Sequence, residues 1–416
     1  MANILLHSLV FAPDGNSNAY IFSDIALELQ KAGHNVSVIT TTPHYSVLQD
    51  NINSQPFSNG MKKWYKQSSF WGIPCYHIVV DPEKGGLINR ISTYLRFHWY
   101  ALRLAKFKDI KADVVIAQSP PLTVGIINYM IAKIKNAKAI YIVQDLFPDG
   151  PIEQGKIKNK ILIKALRIIE KKVYTKNDAI IAISDGIYGH LKERVPSTKT
   201  LGIIPNFVNC EIYHPLPKNN YIIDEYNLKS RFVVSYVGNI GNAHDLSPLL
   251  YCAKQLKDIN VTFLIAGSGI RKDYFETMAK EDHLDNVIFM GYQKRENTPY
   301  INAISDICLV MLAPHVKSFS FPSKTYTLMA MGKPIIVMCS NESNVADFIT
   351  NTRSGWVVDS GKNEEFTALI KELYNNRSLL DEVGANSLQA VQDRYTKEIV
   401  GNQYSNLIGD LLKNEI

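Results

Sequence analysis

Twice along this chain, short β-branched and apolar runs alternate with stretches of helical periodicity, and no other feature narrows the fold as far. In the first half "NILLHSLVF", "NVSVITTT", "ADVVIAQS", "AIYIVQD" and "DAIIAIS" read as strands, with "YIFSDIALELQKAGH", "TVGIINYMIAKIKNAK" and a basic helix among them. The second half restarts the rhythm with "FVVSYVG", "VTFLIAG", "VIFMG", "DICLVML" and "PIIVM". Such alternation predicts a parallel, doubly wound α/β sheet that binds ligands at the carboxyl ends of its strands. Two complete rounds predict two Rossmann-like domains: residues 1–205, a polar, proline-containing linker over 206–230, a second domain over 231–392, and one last amphipathic helix over 393–416.

A chain of 416 residues suits two domains of ordinary size, and 46% hydrophobic with 20% charged residues excludes wholesale disorder. Cys75, Cys210, Cys252, Cys308 and Cys339 are scattered without a C-x-x-C pair, which points to a reducing compartment and away from a structural metal. The opening "MANILLHSLVF" has no basic n-region or cleavage site and reads as a buried strand; no apolar run reaches the ~18 residues of a membrane-spanning helix. A cytoplasmic protein is expected. Charge is unevenly divided: residues 1–210 hold about 25 Lys and Arg against about 15 Asp and Glu, and acids outnumber bases beyond them. The excess lies in segments 85–108 and 156–176, where cations interleave with apolar residues at helical spacing. Peripheral docking on the anionic inner face of the cell membrane is therefore expected, with Phe97, Trp99 and Tyr100 inserting at the interface. No nucleic-acid-binding module accompanies that charge, so no nucleic-acid partner is expected.

The residues with chemistry to offer lie where strands end. "YVGNIGNAHD" puts Gly238 and Gly241 between a strand and a helix, where missing side chains let a phosphate approach backbone N–H groups; a plain tight turn explains them equally well. "LIAGSGIRKD" repeats the arrangement at Gly267 and Gly269, without a dinucleotide fingerprint or a Walker lysine. "SFSFPSKTYTLMAMGKPIIVM", Ser318 to Met338, describes a short helix starting near Pro322 and stopping at Gly332. Lys324 falls in its first turn, where a cation opposes the helix dipole at a cost of a few tenths to about 1 kcal/mol. A bound anion reverses that sign, so Lys324 is expected to be a phosphate ligand, against the alternative of a lysine snorkelling into solvent. "QDLFPD" places Asp145 and Asp149 after a buried strand; Asp145 is the candidate polar group of the active centre, with an Asx-turn as its alternative. His44, after the second strand, is as readily structural as functional.

Together and in order, "FAPDGNSNA", "TTTPHY", "QSPPLTVG", "VQDLFPD", "IPNFV", "YVGNIG", "AGSG" and "FPSKTYTLMAMGKPIIV" resemble the retaining glycosyltransferases of family 4. The resemblance is closest to the branch written P-S-K-x-Y-x-x-(M/L)-A-x-G-(K/R)-P, found in bacterial surface-polysaccharide transferases such as those for N-acetylfucosamine. It implies the GT-B fold: two Rossmann-like domains facing across a cleft, with the C-terminal helix packing back toward the first. It implies a nucleotide-diphosphate sugar donor bound by Gly15, Asn16, Gly238, Asn239, Gly241, His244, Gly267, Gly269, Ser320, Ser323, Lys324 and Thr327. Asp145 takes the catalytic place, and Asp14, His44, Tyr45 and Asp149 the acceptor side. The implied acceptor is a polyprenyl-diphosphate-linked saccharide of O-antigen, capsule or related synthesis, and neither metal nor cofactor is implied; no DxD triplet is present.

Two departures from the wider family stand out. The positions of its E-x7-E pair hold Phe319 and Thr327, and those of its diphosphate-gripping Arg and Lys hold Asn239 and His244; Lys324 is the residue left to supply the charge. Two other functions share the implied fold and donor. One is a sugar-nucleotide 2-epimerase, which needs acid and base side chains in the cleft. The other is a catalytically silent nucleotide-sugar-binding scaffold, which the missing glutamates suggest.

Overall fold

The computed structural model describes residues 1–60, 62–82, 86–316 and 321–413, and its contacts divide the chain into two compact units: Met1–Asn206 with Lys397–Ile416, and Phe207–Thr396. The first unit runs β1 (Asn3–His7), α1 (Ser17–Lys31), β2 (Asn35–Thr41), α2 (Gln49–Ser54), β3 (Ser58–Asn59), β4 (Tyr65–Phe70), β5 (Ile73–Ile78), α3 (Leu87–Phe107), β6 (Val114–Gln118), α4 (Val124–Lys135), β7 (Lys138–Val143), α5 (Asp149–Glu153), α6 (Lys160–Lys176), β8 (Ala179–Ala182), α7 (Asp185–Lys192) and β9 (Thr200–Ile203). Its nine-stranded sheet has the order β3-β4-β5-β2-β1-β6-β7-β8-β9, parallel from β5 to β9. The antiparallel edge, β3 and β4, is not legible in the sequence. The turn between β4 and β5 has positive φ at both Trp71 and Gly72, and Trp71 stands where Asn, Asp or Gly would give a hairpin away.

Right-handed crossovers that travel in opposite directions from β1 put their helices on opposite faces of the sheet. One face carries α1; the other carries α3, α4 and α6 side by side. Gly125 of α4 makes that close approach feasible, since a Cβ there would stand 2.5 Å from Val173 of α6.

The second unit runs α8 (Tyr221–Glu225), β10 (Phe232–Val237), α9 (Ser247–Gln255), β11 (Val261–Ala266), α10 (Lys272–Glu281), β12 (Val287–Gly291), α11 (Thr298–Ile304), β13 (Ile307–Met311), α12 (Lys324–Ala330), β14 (Ile335–Cys339), α13 (Asn344–Thr352), β15 (Gly355–Asp359), α14 (Asn363–Asn375) and α15 (Ser378–Arg394). Its six strands are all parallel in the order β12-β11-β10-β13-β14-β15, the Rossmann order. Both faces are covered: Phe232, Val234 and Tyr236 of β10 enter one core, and Val233 between them enters the other. Continuous apolar strands follow from that double burial. The segment 206–230 contains α8, whose Ile222 and Ile223 pack in the second of these cores. The final helix, α16 (Lys397–Lys413), returns to the first unit and packs along α1, with His34 Nε2 2.9 Å from Ser405 Oγ.

Candidate functional site

In the second unit the direction of strand addition reverses between β10 and β13, so the loops leaving these strands flank the expected ligand position. They are tied to each other: Ala313 N–H donates to the Ala243 carbonyl at 2.9 Å. After β13 the chain enters α12 at Lys324, Thr325 N–H bonding back to the Pro322 carbonyl; it leaves at Gly332, where φ is +64°. Those are the limits the sequence predicts.

Lys324 is partly buried, and its ammonium is the enclosed end. Nζ lies 3.8 Å from the centroid of the Tyr236 ring and 3.5 Å from the Val237 carbonyl oxygen. A Cβ at Gly238 would sit 3.5 Å from that nitrogen. Among the described residues no carboxylate is within ion-pair distance. Burial pushes the lysine down to about 7. His244 is lowered to about 4 by burial and then by Lys324, so it is neutral near pH 7. The motif's other lysine is structural. Lys333 Nζ donates to the carbonyls of Ala303 and Ser305, closing the end of α11.

The glycines divide into two kinds. A Cβ on Gly267 would stand 1.9 Å from the Gly238 carbonyl oxygen, and one on Gly269 2.4 Å from that of Ile240, so this pair, expected at the donor, is accounted for by loops packed backbone to backbone. Gly238 N–H is spent on the Ala266 carbonyl, whereas the N–H groups of Asn239 and Gly241 make no hydrogen bond among the described residues. Tyr236 hydroxyl fixes the turn by donating to the Asn239 carbonyl at 2.7 Å. Arg271, which sequence reasoning missed although it directly follows the Gly267–Gly269 loop, donates to the His244 carbonyl at 3.0 Å and lies over the Phe275 ring. Ser323 precedes α12 without a side-chain cap bond, and Thr327 is half-buried one turn on from Lys324. Ser320 and Phe319 lie outside the described residues.

In the first unit the corresponding reversal lies between β1 and β6. Asp14 is buried there and accepts from the backbone N–H groups of His44, Tyr45 and Ser46 at 3.0, 3.0 and 3.1 Å, binding the loop after β2 to the loop after β1. Gly15 lets that junction close, since a Cβ would reach Leu48 at 2.6 Å, and Asn16 caps α1 by accepting from Ala19 N–H. His44 Nδ1 is 3.0 Å from Thr41 Oγ1, and Tyr45 is 43% exposed. These residues thus build the loop junction.

At the end of β7, Gln144 and Asn206 pair their amides reciprocally, and Gln144 also donates to Gln118. "QSPP", "VQD" and "IPNF" thereby meet in one buried network. Asp145 follows it directly, is exposed to solvent, and makes no hydrogen bond or ion pair among the described residues; the chain crowded around its carboxyl raises it above the usual carboxylate value. Asp149, expected beside the acceptor, is instead held by Arg167 and Arg194. Burial opposes its ionisation, but the two guanidiniums keep it well below the usual carboxylate range. No group of three or more His, Cys, Asp or Glu among the described residues is placed to hold a metal ion.

Residues 21–212 match the family Glycosyltransferase Family 4, and residues 220–390 match Glycosyl transferases group 1, so the matches fall on the two units in turn and span most of the chain. The chain is built of two glycosyltransferase domains. Among curated relatives it is 23% identical over 308 residues to the "Probable glycosyltransferase WbjE" of Pseudomonas aeruginosa, covering 73% of this chain and 76% of that protein. It is 21% identical over 346 residues to WcaI of Escherichia coli K12, described as a putative colanic acid biosynthesis glycosyl transferase, covering 80% and 82%. Among solved structures, sucrose-phosphate synthase from Thermosynechococcus elongatus superposes on the transferase with a TM-score of 0.74 at 14% identity, covering 99% and 100% of the two chains. Anabaena HepE in complex with UDP-glucose gives 0.71 at 14% identity over the whole of both. These likenesses establish the GT-B fold, as the sequence implies.

Proposed function

We propose that this glycosyltransferase moves a sugar, an N-acetylated hexose or deoxyhexose, from a nucleotide-diphosphate donor to a lipid-linked saccharide in bacterial surface-polysaccharide synthesis, with retention and without a metal. The observation that carries the donor half is Lys324: an enclosed ammonium without a carboxylate partner among the described residues, at the strand reversal, beside the uncommitted N–H groups of Asn239 and Gly241. A diphosphate there meets both a cation and oriented dipoles, which is how negative charge developing on a departing nucleotide is stabilised. HepE, a neighbour in fold, is known with UDP-glucose bound, which supports a UDP-sugar as the first donor to try. WbjE and WcaI are named as transferases, which supports transfer over 2-epimerisation.

The acceptor half rests on the first unit. Asp145, ionised and unpartnered among the described residues, is suited to accept a hydrogen bond from an incoming hydroxyl and orient it. The layer of α3, α4 and α6 supports a membrane-borne acceptor. It exposes Ile91, Leu95 and Trp99 of α3, Met130 and Ile134 of α4, and Ile161 and Ile168 of α6. Arg96, Arg103, Lys133, Lys164, Lys171 and Lys172 stand exposed among them, and the one acid in the three helices, Glu170, is buried. Phe97 has no part in it: it is fully buried, stacked on His7 at 4.9 Å, and Tyr100 stacks on Trp64. Of the three aromatics expected to insert, Trp99 alone is exposed, at 63%. No described helix is long and apolar enough to cross a membrane.

A panel of UDP- and GDP-sugars, each with and without polyprenyl-diphosphate saccharides, tests the reading. Glycosylated lipid is the expected product; epimerised donor, or binding with no turnover, would overturn it.

A further inference from the structure

Asp149 stands four residues beyond Asp145 and belongs to a closed quartet of charges. Arg167 grips it through both guanidinium nitrogens, Nη2 to Oδ1 at 2.6 Å and Nη1 to Oδ2 at 2.9 Å; Arg194 Nη1 reaches Oδ2 at 2.7 Å. Each arginine also holds Glu170, at 2.9 and 3.0 Å. The four charges sum to zero, and the two acids keep only 12% and 5% of their side-chain exposure. The quartet ties the start of α5 to the inner side of α6 and to the residues after α7.

We propose that this quartet is a positioning device for Asp145. The proposal rests on the reading of Asp145 as the catalytic carboxylate. Asp145 has no bond of its own among the described residues, so its place is set by the anchors on either side of it. On one side Gln144 is fixed by its N–H to Ser119 Oγ at 2.9 Å and by its amide to Asn206 and Gln118. On the other, Gly150 N–H bonds the carbonyl of buried Leu146, and Asp149 enters the quartet. Tyr141, buried on β7, lies within electrostatic reach of both Glu170 and Asp145, so quartet and carboxylate share one neighbourhood. The same helix that carries Arg167 and Glu170 inward carries Lys164, Ile168, Lys171 and Lys172 outward, so the quartet is also the inner attachment of the exposed basic face. Bidentate arginine pairs suit such a role because they fix direction as well as distance. Removing one partner leaves an uncompensated buried charge and frees the loop.

The test is a double-mutant cycle on the full chain, with the donor and acceptor that the panel identifies. Arg167→Gln is expected to lower kcat by about tenfold or more with the donor KM within about twofold, and to cost less than about twofold when Asp145 is already Asn. If Asp145→Asn leaves no measurable rate, Asp145→Glu supplies the second background. Equal losses in both backgrounds would show a merely structural quartet and overturn the proposal. Full activity of Asp145→Asn would instead sink the catalytic reading on which the proposal rests.

Discussion

Lys324 carries two costs that the protein recovers only in part by itself: it opposes the dipole of α12, and burial brings its ammonium to about 7. The Tyr236 face and the Val237 carbonyl offset part of them. A cation kept at such a cost is what an anion-binding centre needs. This position is legible in the sequence because Pro322 and Gly332 bracket a helix too short to place Lys324 anywhere but its first turn. Arg271 is not legible, because its use depends on a carbonyl 27 residues away in a neighbouring loop. Asp145 offers the clearest pH signature. Its folded value is raised, so if the ionised form orients the acceptor, kcat/KM is flat at neutral pH and falls roughly tenfold per pH unit once the carboxyl protonates. Asp145→Asn should lower kcat at least about tenfold with donor affinity unchanged. A pH–rate profile of both proteins checks this, and an asparagine variant with the native rate and profile refutes it.

Among the elements, the strand-end loops explain why glycine loops are ambiguous in a sequence. Gly238 and Gly267 look alike as residues following buried strands, yet Gly267 is there because the Gly238 carbonyl occupies its Cβ position. Gly267→Ala requires the two loops to separate, and overpacking of this kind costs about 1–3 kcal/mol. Thermal unfolding of this variant is expected to move down by several degrees, with donor affinity falling as the Gly238 loop shifts; an unchanged melting temperature would contradict the packing described here. The central parallel strands are legible because they are continuous apolar runs, as burial on both faces requires. β5, β9 and β15 are not, because "IPCYHI", "TLGI" and "GWVVD" interrupt their apolar residues with Pro, His, Gly or a terminal polar residue. The edge hairpin escapes notice for the same reason, since β4 mixes Lys, Gln and Ser into its pattern.

Across the whole molecule, the sequence separates two domains correctly in kind because each restarts the strand–helix rhythm. It cannot show that α8 belongs to the second unit, or that Phe97 is a core residue while Trp99 two positions on is exposed, since helical phase is fixed only by what the helix packs against. The exposed face of α3, α4 and α6 predicts reversible binding to vesicles containing anionic lipid, weakened by salt, with each cation contributing about 1 kcal/mol. Co-sedimentation at low salt should fall severalfold on changing Lys171 and Lys172 to Ser, and fall further in Trp99→Ala; equal binding to neutral vesicles would contradict it. The central claim, that the donor diphosphate is held by Lys324, is tested most directly by calorimetric titration of UDP into the protein at pH 7 in two buffers of different ionisation enthalpy. With the free lysine near 7, about half a proton should be taken up per UDP bound, and affinity should hold below pH 7 and weaken above it. Lys324→Met should abolish the uptake and weaken binding by about 1–2 kcal/mol. UDP binding without proton uptake, with equal affinity in Lys324→Met, would contradict the claim.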